Sequence, residues 1–505
     1  MDVTTHLLGL DVGTSVIKAV RFDLNGGEIG SASRTVEVRA PQPGWAEQDM
    51  EAVWTGAQEA IREVLDRTGA IERVAVVGIA GQGDGVWMID AEGRPVAPAP
   101  LWSDGRATEA IDRWQASGAL SRLYERGGTV LWPGSQAALL AWFAETEPDV
   151  LDSAAAVLCC KDWIRYRLTG TIGTDETDGS IPFMDLTTRT LDTGQLDTLG
   201  LAGLADRLPP VQPSHQVVGS VTTTAADATG LRVGTPVVAG LLDVAANAVG
   251  VGAIDGGQAM VTLGTTALSA VVLDQPVFVP EDVGASVCHA PARRWMRALG
   301  AMAGTTNLDW YLGTMGEILG VEAAREQRDV FSLLEEMVDT AAPGAGGVVY
   351  HPYLLGERVP FLAPNARAAF LGLSSATSRA DLARAVSEGV AFAVRHCFEA
   401  IGAPVTDVRL SGGGARSHTW SQILADVTGA TMNVPAGSQF GALGAAIVAG
   451  VGIGQYPDYE TAVERCVHVE RVHQPSLEHR GLYDDRFQLY LDLIDAMRPF
   501  WSRHA

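Results

Sequence analysis

Residues 11–20 read DVGTSVIKAV, and residues 262–271 read TLGTTALSAV. Both carry Gly-Thr followed by Ser or Thr, then three residues, then Ala-Val. Each stretch reads as a strand, a tight Gly-Thr turn and a second strand. Their offset, 262 − 11 = 251 positions, is half of the 505-residue chain. A chain this long exceeds what one core usually serves. The echo therefore predicts two related α/β domains.

The surroundings of each copy extend this reading. In the first half, strand-like runs occur at 6–10, 16–22 and 73–80. Between them, 49–67 presents Met50, Val53, Trp54, Ala57, Ile61 and Leu65 at helical spacing. In the second half, the pattern predicts a helix at 380–400, a strand at 407–410, a glycine turn and a helix at 416–428. A closing amphipathic helix is expected at about 480–500. The glycine-rich stretch within 245–258 reads as a hinge, which gives domains of 1–247 and 248–505. The AAPGAGG run at 341–347 reads as a loop inside the second domain.

Composition narrows the partners. There are 36 Lys and Arg against 60 Asp and Glu, a net charge of −24. Nucleic acid and anionic membrane are poor partners for such a chain, because phosphate backbones are bound by clustered cations. The five cysteines form no C-x-x-C pair, so neither a zinc ribbon nor a disulfide framework is expected. Residues 1–6 carry no basic leader region, and no apolar run reaches the roughly 18 residues of a membrane span. A cytoplasmic protein is the resulting expectation. Lysine occurs only at Lys18 and Lys161. Coding bias toward Arg accounts for this simply; the sharper reading is that both sites need a compact ammonium.

The phosphate loop G-x-x-x-x-G-K-[ST], the kinase H-R-D and D-F-G, the G-x-S-x-G elbow and H-E-x-x-H are all absent. The paired turns offer another way to hold a nucleotide. Gly13, Thr14 and Ser15, and likewise Gly264, Thr265 and Thr266, can bring backbone N–H groups and hydroxyls to phosphates. Asp11 precedes the first turn, where a carboxylate can hold Mg2+. Thr262 takes the matching place in the second copy. Lys18 is a weaker phosphate ligand, since strand alternation can turn it away. Ser411-Gly412-Gly413-Gly414-Ala415-Arg416 follows a strand and opens a helix, suiting a ribose or flat ring beside a helix N-terminus. Ordinary hairpins remain the alternative for each turn taken singly.

Asp243 ends an apolar run, VVAGLLD, and can take a proton from a hydroxyl as a phosphoryl group arrives. Helix N-capping is its alternative role. Gln82 and Asp84 in GQGDG, with Trp102, Asp104 and Arg106 in WSDGR, suit a small polyhydroxylated ligand. Here the alternatives are a surface turn and, for Asp104 with Arg106, a structural ion pair.

Taken in this order, the pieces resemble the FGGY family of carbohydrate kinases, of the actin-like ATPase fold. The likeness runs over about 6–455 and includes GLDVGTSVIKAV, PGWAEQD (43–49), WSDGR, KDW (161–163), GTPVVAGLLD, LSGGGARS and most of a second signature at 368–388. The small-residue helix GALGAAIVAG (441–450) is similar to one that packs behind the adenosine site. The resemblance implies two actin-like (ribonuclease H-like) α/β domains with a cleft between them, the first binding sugar and the second nucleotide. It implies ATP and Mg2+, phosphorylation of a terminal hydroxyl of an open-chain sugar or polyol, Asp243 as base, Asp11 as the metal carboxylate, and a homodimer. The family's xylulose kinases carry Met-His where Gly83-Asp84 stands, and Asn where Val244 follows the base. The first family signature expects a Lys at Leu139. GQGDG, the Asp-Val pair and CKDW are more similar to the erythritol and L-xylulose kinase branches. The implied substrate is a four- or five-carbon polyol or ketose, with D-xylulose kinase as the alternative. A sugar sensor or actin-like assembly protein without turnover is the non-enzyme alternative.

Overall fold

The computed structural model describes residues 5–69 and 71–503; residues 1–4, read above for a leader, lie outside them. Two mixed sheets carry the chain. The first contains β1 (His6–Val12), β2 (Val16–Phe22), β3 (Glu28–Thr35), β4 (Val74–Gly81), β5 (Val217–Ser220), β6 (Pro236–Val238) and β7 (Leu241–Leu242). The second contains β8 (Gln258–Leu263), β9 (Ala267–Leu273), β10 (Ala285–Cys288), β11 (Trp295–Ala301), β12 (Asp407–Ser411), β13 (Thr431–Pro435) and β14 (Val469–His473).

The two sheets repeat one topology. The first runs β3-β2-β1-β4-β6-β5, and the second β11-β9-β8-β12-β13-β14, with β10 added outside β11. The senses agree pair by pair. β1–β2 and β8–β9 are antiparallel hairpins, β1–β4 and β8–β12 are parallel, and each far edge ends in an antiparallel pair. The decapeptide echo is thus the start of a duplicated sheet.

Helices cover the sheets. α1 (Met50–Thr68) starts where Asp49 caps the N–H groups of Glu51 and Ala52, and it buries the apolar stripe read from the sequence. α2 (Cys160–Thr169) also packs in the first half. α3 (Asp243–Val251) lies where a glycine-rich hinge is expected, so that stretch is helical until the turn at Gly252. α4 (Arg379–Ile401), α5 (His418–Thr428) and the closing α7 (Arg480–Trp501) match their expected spans within two residues.

α6 (Phe440–Gly452) is apolar on all sides, and every residue from Gly441 to Gly450 is buried. A helix of this kind belongs between layers. It packs on α3 and on β1 and β4 of the first sheet, not behind the glycine turn of the second half. The intervening core draws Leu7, Val76 and Ala80 from the first sheet and Met260, Val272 and Met296 from the second. Among the described residues no helix is long and apolar enough to cross a membrane.

Candidate active site

Three parallel strand ends define the site. Gly81 at the end of β4 lies opposite Val12 on one side and Leu242 on the other. Asp11, Gln82 and Asp243 therefore emerge next to one another at the carboxyl edge, where open α/β sheets bind ligands. Asp243 is the first residue of α3. Leu242 takes the cap position, so N-capping is not the role of Asp243. Its Oδ1 accepts from the Val244 N–H at 2.6 Å.

Burial raises the Asp243 pKa to about 7, and the nearby Asp11 charge adds to the shift. Burial likewise raises Asp11, against the pull of Lys18, which sits directly opposite it on β2. Asp84 is also pushed to about 7, by burial first; the Gln136 N–H opposes the shift and the Asp243 charge adds to it. Three acids thus share one poorly solvated region, each less acidic than in water.

The polar strip of the first half gathers around Thr14. The Thr14 hydroxyl donates to Gln82 Oε1 at 2.7 Å and accepts from Trp102 Nε1 at 3.0 Å. Gln48 donates to the Thr14 carbonyl at 2.7 Å, and Gln82 donates to Gln48 Oε1 at 2.9 Å. Trp102 keeps 43% of its surface exposed. Asp84 is held at φ 55°, a conformation rare for a residue with a side chain, and accepts from the Gln136 N–H at 3.2 Å.

Asp104 and Arg106 lie deeper. Arg106 pairs with Asp104 at 2.8 Å and Glu47 at 2.9 Å, and stacks 3.8 Å over the Trp45 ring. Asp104 also accepts from the Ala46 N–H at 2.7 Å. This pair ties WSDGR to PGWAEQD, in keeping with the structural ion-pair reading.

In the paired turns, the Gly13 N–H closes on Val16 O at 3.1 Å and the Gly264 N–H on Thr266 O at 3.0 Å. The N–H groups of Thr14, Ser15, Thr265 and Thr266 have no protein partner among the described residues. These four, rather than the glycine amides, are the ones available to an anion. Lys18 lies across the hairpin from Asp11, in a hollow with Ser31, Ser33, Glu63, Arg67 and Gln439. Thr262 lies opposite Ser411, their hydroxyls 3.1 Å apart, which sets the Gly264 and Gly412 turns side by side.

Gly412 adopts φ 89° with its backbone against the Leu263 carbonyl, so a Cβ there would clash. Gly414 packs on Leu263 and Trp420, whereas Gly413 faces open space. Gly413 to Arg416 form a 3-10 turn, and Ala415 is buried within it. α5 begins only at His418, capped by Ser417, so the glycines do not open an α-helix directly. Beside this turn is a cavity of about 450 Å³, lined by Leu308, Leu334, Val338, Trp420, Gly413 and Thr305 among others.

The residues fit ATP and Mg2+. A side-chain-free gap at Gly413, apolar walls and polar rim residues such as Ser332 and Glu335 suit a nucleoside. Asp11 and Asp243 supply hard carboxylate oxygens, the donor type Mg2+ takes. Gly441 at the start of α6 leaves room for the Asp11 carboxylate, since a Cβ there would come within 2.8 Å of it.

Several participants escaped the sequence reading. Gln48 sits inside PGWAEQD without a distinguishing pattern. Thr305 belongs to Gly304-Thr305-Thr306, a second Gly-Thr-Thr after 264–266, and the Thr305 N–H donates to the Gly264 carbonyl at 2.8 Å. That repeat was the available signal.

Comparison with known proteins shows the family. Residues 6–250 match the N-terminal and 259–453 the C-terminal domain of the FGGY family of carbohydrate kinases. The chain is 33% identical to an erythritol kinase of Brucella abortus (strain 2308), over 99% of this chain and 98% of that one. It is 32% identical to an L-xylulose/3-keto-L-gulonate kinase of Escherichia coli (strain K12), over 99% of each. In structure it is similar to a xylulose kinase from Rhodospirillum rubrum, with TM-score 0.89 and 28% identity, covering 98% of this chain and 100% of the other.

Proposed function

The chain belongs to the FGGY family of carbohydrate kinases, sugar phosphotransferases that use ATP with Mg2+, and on that premise we propose that its acceptor is a four- or five-carbon open-chain polyol or ketose. Phosphorylation falls on a terminal hydroxyl, with Asp243 as general base. The observation that carries this reading is Asp243 itself: a half-buried acid whose carboxyl is pushed up to about 7, at a strand end beside Asp11 and Asp84. Such an acid is ionised often enough at neutral pH to accept a proton, and basic enough to pull it.

ATP supplies the transferable phosphoryl group, and Mg2+ neutralises charge on it. The residues of the chain do the rest. Thr14, Ser15, Thr265 and Thr266 offer backbone donors to the phosphates. Gly413 and Gly414 line the nucleoside side, while Gly412, packed on Leu263, and the buried Ala415 shape the turn behind them rather than touching the ligand as the sequence suggested. Asp11 holds the metal, and Lys18 adds positive charge nearby. Gln82 and Asp84 bind substrate hydroxyls, while the exposed ring of Trp102 covers C–H edges. Asp104 and Arg106 act from beneath, by fixing the loop that carries Trp102. Asp243 Oδ takes the hydroxyl proton as the substrate oxygen bonds to the γ-phosphorus of ATP and the bond from that phosphorus to the β–γ bridging oxygen breaks, ADP leaving with the electron pair.

The erythritol kinase relative and the acceptor carboxylate at Asp84 support a polyol. A second reading, a D-xylulose-type ketose, is favoured by one observation. With a pKa near 7, Asp84 is protonated part of the time and can then donate to a carbonyl. ADP release with ATP and erythritol, xylitol, D-xylulose or L-xylulose distinguishes them. Strong stimulation by one acceptor supports the proposal, and the acceptor preferred selects the reading. Indifference to all four contradicts it.

A further inference from the structure

A fully buried charge cluster lies directly beneath the strand that delivers Asp243. The Lys161 ammonium, on α2, is 2.6 Å from Asp162 Oδ1, 3.0 Å from Asp175 Oδ1 and 3.0 Å from Asp178 Oδ2. All four side chains are at most 1% exposed. Three carboxylates around one point charge suit a compact ammonium better than a planar guanidinium. The lysine stem is wedged under the site. A Cβ on Gly81 would lie 3.0 Å from the Lys161 Cβ, and one on Gly240 would lie 3.4 Å from its Cδ. Arg165, one turn later, donates to the Ala239 carbonyl at 3.1 Å.

The cluster connects to Asp243 through one hydroxyl. Asp175 Oδ2 accepts from Thr177 Oγ1 at 2.8 Å, and from Ser214 Oγ at 2.6 Å. With its proton committed to Asp175, Thr177 Oγ1 is an acceptor, and it takes the Leu242 N–H at 2.7 Å. Leu242 is the residue before Asp243. The Leu241–Leu242 peptide, one residue ahead of the acid, is therefore anchored by a side chain whose orientation is set by the buried cluster.

We propose that Lys161, Asp175 and Thr177 are positioning residues for the phosphoryl transfer, holding the Leu241–Leu242 peptide, one residue ahead of Asp243, so that the Asp243 carboxylate meets the acceptor hydroxyl. The inference rests on the reading of Asp243 as base. A buried ion cluster is costly to assemble and adds little net stability, so its placement under the reacting acid is better explained by geometry than by stability. Misplacing a catalytic group by about 1 Å can cost roughly 10²-fold in rate.

The test compares Thr177→Val, Thr177→Ser, Ser214→Ala and Asp243→Asn with the parent, using ATP and whichever of erythritol, xylitol, D-xylulose and L-xylulose the parent turns over fastest. Thr177→Val keeps shape but cannot accept the Leu242 N–H. Its kcat is expected to fall about 10- to 100-fold, with both KM values within about threefold of the parent. Thr177→Ser restores kcat to within about threefold. Ser214→Ala removes a different bond to the same Asp175 oxygen, and lowers Tm without a comparable loss of kcat. If Thr177→Val does not fold, Thr177→Ala takes its place with the same expected split. An inactive Asp243→Asn together with a Thr177→Val at the parent kcat overturns the inference alone. So does a loss that serine fails to recover, or one that Ser214→Ala matches. Asp243→Asn at the parent rate, or a parent that uses none of the four acceptors, overturns the reading on which the inference rests.

Discussion

The backbone of Gly444 rests on the carbonyl of Ala246, with no side chain between α6 and α3. Ala246 is one turn beyond Asp243, so this contact fixes the helix that begins with the proposed base. A methyl at 444 must push the two helices apart. Gly444→Ala is expected to destabilise the protein by about 1–3 kcal/mol and to lower kcat as α3 shifts. Thermal denaturation and turnover check both effects; an unchanged Tm contradicts the packing.

In the proposed function Asp84 binds the acceptor and not the nucleotide. Asp84→Ala is expected to raise the acceptor KM about tenfold or more while the ATP KM stays within about twofold, the loss of a hydrogen bond to a charged group being worth about 1.5–3 kcal/mol. Steady-state kinetics with both substrates varied checks this. An unchanged acceptor KM removes Asp84 from the pocket.

Acidity sets the pH profile. Asp243, with a pKa near 7, is protonated below that pH and cannot accept a proton. The acceptor kcat/KM is expected to fall about tenfold per pH unit below pH 7. The acids facing this region are Asp11 and Asp84, with Lys18 opposite Asp11. Removing the Asp84 charge eases ionisation of its neighbour, so Asp84→Asn should move the ascending limb to lower pH. A limb that stays in place, or moves upward, contradicts the coupling.

The glycine turn of the second half separates packing from binding. Gly413 faces open space and borders the 450 Å³ cavity, whereas Gly412 is pressed on Leu263 at φ 89°. Gly413→Val is expected to fold with an unchanged Tm and to raise the ATP KM about tenfold, by occupying nucleoside space. Gly412→Ala is expected to lower Tm. Calorimetry and ATP titration of both variants test the division; equal effects on Tm contradict it.

Local pattern explains what was readable in the sequence. Strands β1 and β2 and helix α1 follow from alternation, a Gly-Thr turn and an Asp49 cap, all set by near neighbours. The duplicated sheet was legible because both halves begin with the same hairpin. The placement of α6 was not. Its apolar, small-residue surface says that it is buried but not against what, and its partners are some 200 to 440 residues away. The Lys161 cluster was likewise hidden, since Asp175, Asp178 and Leu242 approach it only through the fold. For Asp104 and Arg106 composition left ligand and structural ion pair both open, and the pair formed; that Glu47 joins it became visible only when the fold brought PGWAEQD against WSDGR.

In the proposed mechanism Asp243 takes the proton from the acceptor hydroxyl. Asp243→Asn keeps the size and the Val244 contact but cannot act as a base. Single-turnover phosphorylation of the preferred acceptor, with ATP binding measured on the same sample, tests this most directly. The account predicts ATP affinity within about threefold of the parent and a transfer rate lower by roughly 10²–10⁴. Transfer at the parent rate would contradict it.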